Sequence, residues 1–136
     1  MENEKVSLEQ ATKEINQWLD GKKINPRKRA DNEKLIETLI DGVVYGQLVF
    51  DKETNTITQH LDFPIIGDGA SIDKLTFKAR VQQWEVKSRI AKTKQGDSFG
   101  IIGAYIAALT GQPEAILDKL ETTDFSLCQA IAVFFV

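Results

Sequence analysis

The sequence predicts an α+β fold: a small antiparallel β-sheet, a hairpin plus a third strand, packed with a helical C-terminal half and an N-terminal amphipathic helix. Three observations predict it. Leu8, Ala11, Ile15, Trp18 and Leu19 recur at helical spacing near the start. Short runs rich in β-branched and aromatic residues fill the stretch from Val43 to Ala79, with turn-formers between them. From Ser98 to Val136 the chain is its most apolar and is cut into helix-sized pieces by Gly, Pro, Thr and Asp. With 136 residues and 42% apolar content there is material for one core. The expected division is an N-terminal helix and basic linker over 1–30, followed by a single α+β domain over 31–136.

Taken in order, Ser7 and Gln10 fit a capping box at the start of the first helix. Asp20-Gly21 is expected to close it, with Gly21 in the left-handed conformation. The apolar face of this helix must be covered by the domain or by a partner. Lys22 to Ala30 reads as a basic linker, with Pro26 biasing Asn25 away from helix. Asp31 or Asn32 then caps a short helix through Leu35, Ile36, Leu39 and Ile40, closed by Asp41-Gly42. The alternative is a strand already beginning at Lys34.

Val43 to Phe50 reads as the first strand and Thr56 to Phe63 as the second, with Ile57, Gln59, Leu61 and Phe63 on one side. Pro64 should end that strand, leaving Ile65 to Ser71 as a connection. Asp73 to Ala79 alternates as a third strand. From Arg80 the period turns helical, with Val81, Trp84, Ser88 and Ala91 on one face and Ile90 beside them; Gln95-Gly96 breaks this helix. Asp97 or Ser98 caps the next helix, Phe99 to Leu109, which is apolar nearly all round and should be buried. Its Gly100 and Gly103 are expected to admit close backbone packing. Gly111 closes that helix and Pro113 opens a short one that buries Ala115, Ile116, Leu117 and Leu120. Thr122 or Thr123 caps the last helix, whose apolar stripe is Leu127, Cys128, Ile131, Phe134 and Phe135.

Charge is unevenly placed. Net charge is −3, which does not suit a dedicated nucleic-acid binder. Yet Lys22 to Arg29 holds five basic residues and no acidic one, Ser71 to Lys94 nets +5, and Gln95 to Val136 nets −4. Either these faces meet each other and solvent, or they orient a partner. A phosphate or acidic-partner contact at the first stretch is the functional reading of its charge.

Chemistry is sparse. His60 is the only histidine, so two imidazoles cannot meet on a metal within one chain. Cys128 is the only cysteine, has no basic neighbour in sequence and reads as a small core residue, in keeping with a reducing compartment. Gly67-Asp68-Gly69-Ala70-Ser71 lacks the Lys-Ser/Thr end of a phosphate loop. Acidic residues sit at caps and turns rather than in pairs. Trp18 and Trp84 stand at core spacing. The expectation is no enzyme, no cofactor and no metal. The N-terminus is polar and no apolar run reaches the roughly 20 residues of a membrane span, so the reading is a soluble intracellular protein.

One resemblance adds to this. Ile106-Ala107-Ala108-Leu109-Thr110-Gly111-Gln112-Pro113, then Ile116 and Leu117, Lys119-Leu120, Thr123-Asp124 and the apolar finish at Phe134-Phe135 resemble the bacteriophage tail assembly chaperone family. Upstream, Leu75-Thr76-Phe77-Lys78-Ala79-Arg80 resembles the strand before the helices of such proteins. The likeness spans Ser71 to Val136. It departs from the pattern after Arg80, where a Pro-containing turn is missing, and in the extra N-terminal residues. The resemblance implies a non-enzymatic chaperone in the bacterial host cytoplasm that binds a long helical tape-measure protein and helps recruit tail-tube subunits. It also suggests assembly in several copies. Candidate protein-binding residues are Leu127, Ile131, Phe134 and Phe135 on the last helix and Arg80, Lys87 and Arg89 on the basic one; the first group serves equally as core. The alternatives are a bacterial protein-binding adaptor or regulatory domain, and a weak nucleic-acid binder using Lys22–Arg29 and Arg80–Lys94.

Overall fold

A computed structural model describes residues 4–67, 70–90 and 98–136. Among these the chain is α+β, with seven α-helices, a closing 3-10 turn and one antiparallel three-stranded sheet in the order β1-β2-β3.

Helix α1 (Leu8–Gly21) starts where its sequence says. Ser7 accepts from the Gln10 backbone N–H at 3.1 Å, and Ala11, Ile15, Trp18 and Leu19 are all fully buried. Its closure is different from expectation. Gly21 stays helical, and Lys23 takes the left-handed turn at φ 58 while Ile24 N–H reaches back to Leu19 O. Gly21 is needed for proximity instead: a Cβ there would lie 2.5 Å from Asn55 Nδ2, which donates to Trp18 O.

The basic linker contains a helix, α2 (Pro26–Asp31). Asn25 caps it by accepting from Lys28 N–H at 2.9 Å, and Pro26 occupies the first turn, where its missing N–H has no intrahelical partner to lose. Nor does the core divide at residue 30, because the buried residues of α1 belong to the same cluster as those of the sheet and the C-terminal helices.

Helix α3 (Glu33–Val44) runs through Gly42 and absorbs Val43 and Val44, expected to open the first strand. Leu39, Val43 and Val44 are buried, and their helical spacing outweighs β-branched preference. Gly42 lets Leu48 lie against the bare helix face, where an added Cβ would sit 2.8 Å from Leu48 Cδ1. The helix ends at Tyr45, before Gly46 turns the chain at φ +80.

Strand β1 (Leu48–Asp51) is therefore short and pairs with the start of β2 (Thr56–Gly67), Leu48 opposite Gln59 and Asp51 opposite Thr56. Strand β3 (Ala70–Phe77) pairs with β2 in two blocks. His60 faces Lys74 and Ile65 faces Ile72, so residues 61–64 of β2 bulge opposite Asp73 alone. Pro64 does not end β2 because it sits in that bulge, beyond the reach of β1, where no ladder hydrogen bond is needed. The expected connection from Ile65 to Ser71 is paired strand at both ends, with Asp68 and Gly69 outside the described residues. Ile57, Gln59, Leu61, Leu75 and Phe77 face the core; Phe63, displaced by the bulge, is 57% exposed.

Helix α4 (Gln83–Ile90) starts three residues after Arg80. Glu85 fixes its start, accepting from Gln82 N–H at 2.8 Å and pairing with Lys78. That frame buries Val86 and leaves Trp84 67% exposed, so Trp84 is not the core residue its spacing suggested. Ala91, Gln95, Gly96 and Asp97 lie outside the described residues.

Helix α5 (Ser98–Thr110) lies against α4, β3 and helix α7 (Thr122–Ala132), its C-terminal half, Ala104 and Ile106–Leu109, buried. Its N-terminal half is not buried all round: Ile101 is exposed. Gly103 does not mediate close packing, since a Cβ there would meet nothing within 4 Å. Gly111 closes α5 at φ +73 as expected. Helix α6 (Glu114–Leu117) is capped by Pro113 rather than opened by it, and Ala115 points to solvent while Leu117 is buried. Helix α7 begins at Thr122 with Glu121 at its N-cap, one residue before the expected threonine cap, and runs into a 3-10 turn (Val133–Phe135).

Candidate functional site

The candidate binding residues separate. Leu127, Ile131 and Phe134 are buried in the main core and present no surface. Phe135 is half-buried and packs against Trp18, ring centroids 6.0 Å apart, with Lys22 Nζ 3.1 Å from its own centroid. The apolar stripe of α7 thus packs against α3, α5 and β2, while the rings of the closing 3-10 turn receive Trp18 of α1. Lys87 is exposed on α4. Arg89, half-buried, donates to Gln112 O at 3.3 Å and so ties α4 to the α5–α6 turn. Arg80 is exposed ahead of α4 and faces the Lys22 loop.

What the structure offers as a binding surface lies on the other side of the C-terminal half. A cavity of about 390 Å³ opens between α5, α6 and α7. Its floor is Leu117, Leu120 and Phe125 with the bare backbone of Gly103, and Glu114 and Asp118 stand at its wall. Glu114 Oε1 is buried there and accepts no hydrogen bond among the described residues. A carboxylate oxygen without a donor is costly, so a ligand that brings an N–H or a cation to this wall is favoured over water-free closure. Sequence reasoning missed this groove. Its signal was Gly100 and Gly103 in an otherwise apolar helix, read as close packing when they open a groove instead.

Beneath the sheet lies a polar latch that the sequence did not reveal. Gln59 is fully buried; its Nε2 donates to Asp124 O at 2.9 Å, and Cys128 Sγ donates to Gln59 Oε1 at 3.1 Å. The Asp124 carboxylate accepts from the backbone N–H groups of Asp62 and Phe63, each at 3.0 Å. These two N–H groups belong to the β2 bulge and have no β3 partner there. Asp124, in the first turn of α7, fastens that turn to the sheet. Burial, then the Asp124 charge, pushes the Cys128 thiol up to about 12. At pH 8 the thiolate is therefore about a thousandfold scarcer than in an ordinary cysteine. Alkylation of the native protein by iodoacetamide at pH 8 should be at least ~100-fold slower than in denaturant. Comparable rates in the two states would mean that α7 opens readily.

His60 is exposed on the outer face of the sheet, and the Asp62 carboxylate accepts from Gln47 Nε2 at 3.0 Å. Neither takes part in a polar constellation with the groove. No helix among the described residues is long and apolar enough to cross a membrane. Compared with models of known protein families, with curated proteins and with solved structures, the chain matches none.

Proposed function

We propose that this chain is a non-enzymatic tail assembly chaperone of a bacteriophage or prophage, acting in the bacterial host cytoplasm. It would bind an apolar helical segment of a tape-measure protein and bring it to tail-tube subunits. The observation that carries the reading is the α5–α6–α7 groove, whose apolar floor and acidic wall suit one turn or two of an amphipathic helix with a basic residue beside its apolar stripe. The sequence likeness to the chaperone family covers the same helices. Leu127, Ile131 and Phe134 are buried, so the proposed client contact is this groove rather than the α7 stripe. Several copies along one elongated client would raise avidity without any new contact.

Gly103→Leu tests the groove. The position is helical and open, so leucine adds helix propensity, about 0.5–1 kcal/mol, while filling the client's space. Co-expression with a long helical tape-measure segment should keep that segment soluble with the wild type and lose most of it with Gly103→Leu. No gain in client solubility with the wild type would overturn the chaperone reading. Equal rescue by the folded variant would move the contact elsewhere. Capture of unrelated proteins instead would favour the adaptor alternative.

A further inference from the structure

The basic stretch after α1 does not remain a string of solvated charges. The turn at Lys23 brings Gly21, Lys22 and Lys23 against Ala79 and Arg80, enclosing a concavity of about 230 Å³. Lys22 is half-buried at its edge, its Nζ resting on the Phe135 ring and 5.7 Å from the Trp18 ring. Lys28 stands close by and donates to Val136 O at 3.3 Å. Two ion pairs are found among the described residues, Arg29 with Asp20 and Lys78 with Glu85. Neither involves Lys22, Lys23, Lys28 or Arg80. The nearest acid along the chain, Asp20, is engaged by Arg29.

Lys22, Lys23 and Arg80 therefore line one small hollow, and neither ion pair found among the described residues takes up their charge. We propose that this hollow is a binding site for a small phosphate-class oxyanion, held by Lys22, Lys23 and the Arg80 guanidinium, with Lys28 adding its field. The repulsion is felt in Lys22, whose ammonium is pushed down to about 8 by burial first, then by Lys28 and Arg80. A bound anion would add an attractive field that offsets both of these repulsions. Arginine supplies the planar fork suited to two oxygens of one anion, and the lysines supply point charges. The hollow is smaller than a pocket for a drug-sized ligand. Its lining holds no aromatic ring on which a base would stack. These features favour a free phosphate or pyrophosphate over a nucleic acid strand. The site is separate from the α5–α6–α7 groove and does not depend on what that groove holds.

The test is titration of the full chain with inorganic phosphate and pyrophosphate against chloride at matched ionic strength. Amide NMR shifts and the unfolding temperature are the two readouts. Saturable shifts centred on Gly21–Lys23 and Ala79–Arg80, with a rise in Tm, are expected, because a ligand of the folded state stabilises it. Arg80→Gln with Lys23→Gln, both at exposed positions, should weaken pyrophosphate at least tenfold, while Lys34→Gln on α3 leaves it unchanged. A response equal to chloride, or an unchanged affinity in the double variant, would overturn the proposal. So would an oligothymidylate that binds more tightly than pyrophosphate and tightens further with length.

Discussion

Trp18→Ala should lower the unfolding free energy by about 3–5 kcal/mol, the largest single loss expected from any position in α1. The ring is fully buried and joins the two ends of the chain. It meets Phe134 edge-on, centroids 5.8 Å apart at 83°, and Phe135 at 6.0 Å and 59°. Each such pair adds about 0.5–1.5 kcal/mol beyond area burial. Alanine would leave a cavity between α1 and the closing 3-10 turn, and the Lys22 ammonium would lose one of its two ring neighbours. Trp18→Phe should cost much less, under about 1.5 kcal/mol, because it also removes an indole N–H that is buried without an acceptor among the described residues. Urea unfolding followed by far-UV circular dichroism measures both. A loss below about 1 kcal/mol for Trp18→Ala would make α1 a detachable arm, contrary to its place in the core.

The contrast between α1 and the middle of the chain shows what a sequence encodes locally. Ser7, the apolar period and Trp18 all act within one helix, so its start and its apolar face were legible, while what covers that face was left between the domain and a partner. The boundary at Val43 was not. β-branching there favours a strand, and the deciding contact comes from Leu48 lying on the bare face of Gly42. Trp84 and Val86 tell the same story over a shorter distance, since the Glu85 carboxylate sets the frame of α4 and turns Trp84 outward. Pro64 was read by its own chemistry, which disfavours a paired strand. Its position in a bulge, which depends on β3 and α7, decided otherwise. The glycines marked where the groove lies, but whether Gly103 meets a neighbour or open space depends on what stands opposite it, which its own helix does not encode.

The bulge carries the second large expectation. Asp124→Ala should destabilise the fold by about 2–4 kcal/mol, although it removes no apolar contact of note. Each carboxylate oxygen takes one backbone N–H, from Asp62 and from Phe63, and hydrogen bonds to a charged acceptor are worth about 1.5–3 kcal/mol each. Part of that returns, because Asp62 and Phe63 are exposed enough for water to replace the lost acceptor, and because the buried charge itself disappears. Asp124→Asn separates shape from acceptor count. Its amide keeps one oxygen and turns an NH₂ toward the second N–H, so it should recover about half of the alanine loss. Hydrogen exchange places the effect. In the alanine variant the Asp62 and Phe63 amides should exchange faster than global destabilisation alone explains, while the Ile57 and Phe77 amides follow the global change. If Asp124→Asn matched the wild type in both stability and exchange, the carboxylate would not be the fastening. The two-block register of β2 on β3 would then have to be held by Ile65 and Ile72 packing on the core alone.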